Sequence, residues 1–237
     1  LRAILFDKDG TLLDFEATWT PLYRQMALDF AGGDPAKAEA MLVAGGYDPA
    51  AERMRSGSVL GAGTTEQIVQ AWFPGLSGPP FRAMAERIDA AFHAHGMRRS
   101  VPVPGAAETL DRLAADGYAM GVATNDATVA ARAALAGLGL DRRLPHVFGY
   151  DSVAHPKPAP DIVRAFAGEA GVLPAEVIVV GDNRYDMEMA RAAGAGLAVG
   201  VLTGNSDAAE LGPFADVLLP SIRELPDWLH RSGQNRK

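Results

Sequence analysis

The 237-residue chain has no cysteine. That absence excludes a disulfide framework, thiolate zinc centres, iron–sulfur ligation and a cysteine nucleophile. It also fits a reducing compartment, so a cytoplasmic location is expected. Lysine is scarce as well, occurring only at Lys8, Lys37, Lys157 and Lys237, so most positive charge sits on arginine. There is no basic excess: 22 Lys and Arg face 29 Asp and Glu, a net charge of -7. A broad nucleic-acid footprint is therefore excluded, although a local cation or a recruited metal still permits anion binding. No apolar run approaches the ~20 residues that span a bilayer. The opening Leu1-Arg2-Ala3-Ile4-Leu5-Phe6 is too short for the apolar stretch of a signal peptide. With no initiator Met, the native chain is expected to begin before Leu1.

Apolar material is plentiful at 48% of residues, enough for a sizeable core. Apolar runs at residues 3–6, 118–123, 146–150, 177–180, 196–201 and 215–219 read as buried parallel strands. Helical patterns at about 105–116, 127–138, 159–171, 185–194 and 206–212 separate the later ones. This alternation predicts an α/β fold, a Rossmann-like parallel sheet with helices on both faces. Residues 15–100 break the rhythm with helix-like stretches near 17–31, 35–44, 64–73 and 80–95 and no convincing strand. They are expected to form an inserted all-helical cap, leaving a core of 1–14 and 101–237. Val101-Pro102-Val103-Pro104-Gly105 reads as the extended return linker.

Ligands of open α/β sheets bind beyond the carboxyl ends of the strands. The polar residues expected there are Asp7 and Asp9, then Thr124, Asn125 and Asp126, then Lys157 between two prolines, then Asp182, Asn183 and Asp186. Crowded carboxylates share protons or bind a cation, and hard oxygen ligands without His or Cys select magnesium. A carboxylate can attack phosphorus, and a second can serve as general acid and base. A hydroxyl and a lysine can steady the phosphoryl oxygens. The parts are those of phosphoryl transfer.

The four segments Asp7-Lys8-Asp9-Gly10-Thr11-Leu12-Leu13-Asp14, Thr124-Asn125, Lys157-Pro158 and Gly181-Asp182-Asn183-Arg184-Tyr185-Asp186 resemble, in order and spacing, the motifs of the haloacid dehalogenase superfamily. The nearest likeness is to phosphoglycolate-phosphatase-like members with a helical cap. The resemblance implies Asp7 as nucleophile and magnesium ligand. It implies Asp9 as general acid/base, with its backbone carbonyl a further ligand. Thr124 and the backbone N–H of Asn125 would hold phosphate, Lys157 would steady nucleophile and phosphoryl group, Asp182 would ligate Mg2+, and Asp186 would support metal or lysine. An acid at Asp9 favours phosphate over carbon–halogen chemistry. Phe15 departs from the small hydroxyl residue many relatives carry near the cap hinge.

The implied activity is magnesium-dependent hydrolysis of a small phosphorylated metabolite through an aspartyl-phosphate, with no nucleic-acid or membrane partner and an unread oligomeric state. A phosphosugar mutase is the enzymatic alternative, and Lys37 is the one cap lysine a phosphonate hydrolase could use. A receiver-like or phosphometabolite-sensing module is the non-enzymatic alternative. Other residues carry weaker expectations. Arg55 and Ser56, in a Gly- and Ser-rich cap loop, could clamp a second anionic group. Lys8 is expected to point away from the aspartates flanking it and to serve the rim or the structure. Thr124 could also cap the following helix, and Asp186 could compensate a helix dipole. Arg184 and Tyr185 could line the rim, while Trp19, Tyr23 and Trp72 are expected to pack the cap. His155 reads as surface loop, and His93 and His95 are spaced poorly for a shared metal.

Overall fold

The computed structural model describes residues 1–233; the expected core segment therefore runs past the described residues, and Lys237 lies outside them. In chain order the elements begin with β1 (Ala3–Asp7), α1 (Phe15–Phe30), α2 (Pro35–Gly45), β2 (Tyr47–Asp48), β3 (Arg53–Met54), α3 (Val59–Ala62), α4 (Thr65–Trp72), α5 (Gly78–Arg99) and α6 (Ala106–Ala115). They continue with β4 (Ala119–Ala123), α7 (Thr128–Gly137), β5 (His146–Phe148), α8 (Asp161–Ala170), β6 (Val177–Gly181) and α9 (Arg184–Ala193). Last come β7 (Leu197–Val201), α10 (Ala208–Leu211), β8 (Val217–Leu219) and α11 (Leu225–Arg231).

Six strands form one sheet in the order β5–β4–β1–β6–β7–β8, and every neighbouring pair is parallel. The first strand in the chain is thus central. Its side chains alternate between two cores, as a period of two requires. Ile4 and Phe6 join Met120, Val122, Ile178 and Val180 under α6, α7 and α11. Ala3 and Leu5 join Val177 and Val179 against α8 and α9. Both faces are covered, which explains why these strands read as continuous apolar runs. Register aligns the strand ends: Asp7 pairs with Ala123 and Phe6 with Val180. Asp7, Thr124 and Asp182 therefore emerge side by side at one edge.

The insert between β1 and α6 has its own apolar cluster. The stripe Phe15, Trp19, Tyr23 and Met26 on α1 meets Ile68, Val69 and Trp72 of α4 and Ala85, Ile88 and Phe92 of α5. These spacings of three and four residues place each set on one helix face. Ring contacts bind the cluster, with Trp19 and Tyr23 edge-on to Phe92 at centroid distances of 5.6 and 5.8 Å. The cluster also takes in Ala127 and Ala130 from the N-terminal side of α7. At the α5–α7 crossing, a Cβ on Gly96 would stand 3.2 Å from that of Ala134, so a small residue permits the close approach.

The expectation of an insert without strands is corrected by the antiparallel pair β2–β3, which registers Tyr47 with Met54 and Asp48 with Arg53. Strands this short carry no readable alternation. The sequence reading also passed over the short helix α3 and the C-terminal helix α11. Among the described residues no helix is long and apolar enough to cross a membrane.

Candidate active site

Asp7 closes β1, Asp182 follows β6, and Asp186 lies in the first turn of α9. One carboxylate oxygen from each falls within 4.8 Å of the others, and all three residues are buried. Lys157, itself buried, donates from Nζ to Asp7 Oδ1 at 2.5 Å and to Asp186 Oδ1 at 2.7 Å. Asp7 Oδ2 is buried and has no hydrogen-bond partner. Asp182 Oδ2 accepts the backbone N–H of Asn205 at 3.0 Å.

Glycines make the crowding possible. A Cβ at Gly204 would lie 1.8 Å from Asp182 Oδ2, and one at Gly10, where φ is +83°, would lie 2.5 Å from the same atom. No side chain fits either place, and the Gly10 backbone disfavours L residues as well. The Thr203 hydroxyl donates to the Gly10 carbonyl at 2.6 Å, tying the two loops together.

Asp186 combines both roles weighed for it. Its Oδ2 accepts the N–H of Asn183 at 3.3 Å in a capping box, while Oδ1 holds Lys157. Thr124 does not cap α7, which begins at Thr128; its Oγ1 accepts the N–H of Asp126 at 3.1 Å and turns the loop. The Asn125 amide donates to the Lys157 carbonyl at 3.3 Å and to the Ala62 carbonyl of the insert at 2.9 Å.

Asp9 stands apart from the three-carboxylate cluster. Lys8 Nζ donates to its Oδ2, and the indole N–H of Trp19 donates to its Oδ1. Lys8 also lies 2.9 Å from Asp126 Oδ2 and 4.7 Å over the Trp19 ring. The expectation that Lys8 points away from the flanking aspartates is thus corrected at Asp9, and of the rim and structural roles weighed for it the full burial fits the structural one. The chain turns directly after β1, so strand alternation does not extend to Asp9, and the fully buried ammonium folds under that turn. Trp19 is more than cap packing for the same reason: α1 starts close behind the turn, and its second turn lies over Asp9.

The charges interact strongly. Burial pushes the Asp7 carboxyl up to about 6, against the pull of Lys157 and with the aid of Asp186. Burial likewise pushes Asp9 up to about 6, opposed by Lys8 and reinforced by Asp126 and Asp7. Asp182 is held well above the usual carboxylate range by burial and by Asp7 and Asp186. Burial alone would lower Lys157, but Asp186 and Asp7 outweigh it and hold the ammonium charged. If all three ionise, the carboxylates exceed the single ammonium by two negative charges. That excess, the unpartnered Asp7 oxygen and the all-oxygen donor set fit a hard divalent cation.

Asp7, Asp9, Thr124, Asn125 and Lys157 line one cavity of about 40 Å³. Phe15, Trp19, Tyr23 and the segment from Leu60 to Gly63 close it from the insert, and Asp126, Asn183 and Tyr185 complete the core side. Space of this size admits a few water molecules. Arg55 and Ser56 lie outside this lining. The Arg55 N–H and Nε both donate to the Gly46 carbonyl, at 2.9 and 3.3 Å, and Ser56 Oγ meets Ser206 Oγ at 2.7 Å. The chain leaving β3 draws this loop to the rim, and α3 takes the place beside the cavity. Arg184 is directed outward to Glu188 and Phe214, and the exposed His155 meets Asp161 Oδ2 at 3.0 Å. The wall from Leu60 to Gly63 escaped the sequence reading; the serine before Val59, which caps α3 through Gly61 N–H at 3.2 Å, was the available signal.

The chain is similar in sequence and fold to known proteins. The N-acetylmuramic acid 6-phosphate phosphatase of Pseudomonas aeruginosa is 30% identical over 98% of this chain and 96% of that protein. A phosphoglycolate phosphatase of Xylella fastidiosa is 33% identical over 81% of this chain and 77% of its own length. The crystal structure of a hydrolase from Pseudomonas syringae superposes with a TM-score of 0.71 at 24% identity, covering 97% of this chain and 98% of that one. The family model described as haloacid dehalogenase-like hydrolase matches residues 1–194. That match takes in Asp7, Asp9, Thr124, Asn125, Lys157, Asp182 and Asp186, and the chain belongs to the haloacid dehalogenase-like hydrolases.

Proposed function

We propose that this chain is a magnesium-dependent phosphatase that hydrolyses a small phosphomonoester through an aspartyl-phosphate on Asp7, with the insert acting as its cap. The observation that carries the reading is the buried, unpartnered Asp7 Oδ2 at the end of the central strand, beside a lysine and two further carboxylates. Asp7, Asp182, Asp186 and the Asp9 backbone carbonyl would hold Mg2+, which supplies charge neutralisation and polarises a phosphoryl oxygen. Asp7 attacks phosphorus while Lys157 balances the charge on the nucleophile and phosphoryl oxygens. The Thr124 hydroxyl and the Asn125 N–H hold the other oxygens. Asp9 protonates the leaving oxygen, then takes a proton from the water that cleaves the acyl phosphate. A carboxyl pushed up to about 6 is suited to both transfers. Lys8 and Trp19 act as positioning residues for it.

The insert residues that line the cavity opposite the sheet edge support a cap that opens for entry and closes to exclude bulk water. The catalytic set and the family match favour this reading over a sensing module, and the insert after β1 sets the chain apart from a receiver domain. Phosphate release from a panel of small phosphomonoesters, with and without Mg2+, tests it. Release only with the metal is expected. No release from any ester at neutral pH would refute it.

A further inference from the structure

The insert presents no positive charge to the cavity. Its contributions are Phe15, Trp19, Tyr23, Leu60 and the backbone of Gly61 to Gly63. Among the described residues lining the cavity, Lys157 is the one cation, and it is committed to Asp7 and Asp186. Lys8 is fully buried against Asp9 and Asp126. Arg53 and Arg55 are exposed, and Arg55 is bonded to the Gly46 carbonyl. The phosphoryl end of a substrate has its cation, its lysine and its N–H donors in the proposed mechanism. The leaving-group end meets the carboxylates of Asp9 and Asp126, four aromatic rings including Tyr185, and bare backbone.

We infer that the substrate is a phosphomonoester whose leaving alcohol is uncharged and offers an apolar face, such as a neutral sugar, a polyol or an aromatic alcohol, and that a second anionic group on that alcohol is selected against. This rests on the phosphatase reading and narrows it. A carboxylate on the leaving group would enter a low-dielectric space beside like charges, with no partner to replace its lost water. A neutral alcohol loses little on entry, and its apolar face packs on the rings while its hydroxyls meet backbone polar groups. Selection follows from what the wall lacks as much as from what it touches.

The test is a matched pair. Phosphoglycolate and 2-hydroxyethyl phosphate share a two-carbon skeleton and differ in a carboxylate against a hydroxymethyl. Their kcat/KM values are measured beside benzyl phosphate and the chromogenic ester p-nitrophenyl phosphate. 2-Hydroxyethyl phosphate should exceed phosphoglycolate by at least about 10-fold, a modest allowance for one unpaired charge near carboxylates, and benzyl phosphate should exceed both. Ala62→Lys, at a half-buried wall position, should narrow the matched-pair ratio by improving phosphoglycolate. Equal or better use of phosphoglycolate by the native chain overturns the inference while leaving the phosphatase reading intact. Failure on every ester, including p-nitrophenyl phosphate, overturns the phosphatase reading itself. An unchanged ratio in a folded Ala62→Lys protein would show that the insert wall does not sense leaving-group charge.

Discussion

The two walls of the cavity are built on different principles. The sheet edge is polar, crowded and buried, with three carboxylates and a lysine held in place by register and by glycines that admit no side chain. The insert wall is aromatic and aliphatic, set by the stripe of α1 and by the short helix α3 with Gly63 behind it. In the proposed mechanism the first wall supplies the groups that make and break bonds, and the second would exclude water and select the alcohol. Two side chains cross the division: Trp19 belongs to the insert's apolar cluster, yet its N–H reaches Asp9, and the Asn125 amide of the sheet edge donates to the Ala62 carbonyl of the insert. The Trp19 bond is the one that reaches a carboxylate.

The sharpest way to break this division is Asp7→Asn. Turnover should fall by more than about 10⁴-fold, as expected for removal of a nucleophile, with the circular dichroism spectrum and thermal midpoint nearly unchanged. The amide is neutral, so it adds no charge to an already crowded site. Trp19→Phe probes the first crossing point. Loss of a donor to a carboxylate is worth about 1.5–3 kcal/mol, which predicts a fall in kcat of about 10- to 100-fold. KM should change far less, because the ring still fills the wall. A rise in KM with kcat preserved would assign Trp19 to the selective wall alone.

Metal removal gives the third, smaller effect. Asp7 and Asp9 stand near 6 and Asp182 is also raised, so the folded, metal-free protein holds protons that the unfolded chain has released. Their contribution to stability is full below the unfolded carboxylate range and is lost as pH rises through about 6. In EDTA the thermal midpoint should fall between about pH 5 and pH 7.5 through these groups, and Mg2+ should restore it at the upper end. A midpoint that rises through that window without metal would contradict the burial argument. The smallest effect belongs to Tyr150→Phe, which removes a 3.1 Å hydrogen bond from the core to Asp89 of the insert. Stability should drop by no more than about 1 kcal/mol in chemical denaturation.

Much of the polar wall was legible from residue types and order. Asp7, Thr124 and Asp182 stand at the ends of apolar runs that read as buried strands, Lys157 follows another after a loop, and parallel strands bring their carboxyl ends to one edge. The insert wall was much less legible. Arg55 looked like a clamp because charge and glycine mark binding loops, but β2 and β3 are too short to show a pattern and they draw that loop to the Gly46 carbonyl. Lys8 could not be placed because alternation describes a strand and stops where the strand stops. Trp19 read as core because a stripe at helical spacing signals burial, and burial does not say what the indole N–H meets.

The chain alone determined the alternation of strands and helices, the set of oxygen donors and the absence of thiol chemistry, since these depend on residue identity and local periodicity. Only the tertiary structure decided that Lys157 is shared between Asp7 and Asp186, that one Asp7 oxygen is left without a partner, and that the insert faces the site without a cation. Those features arise between residues far apart in the chain, where packing and burial set distance and charge, and no local pattern encodes them.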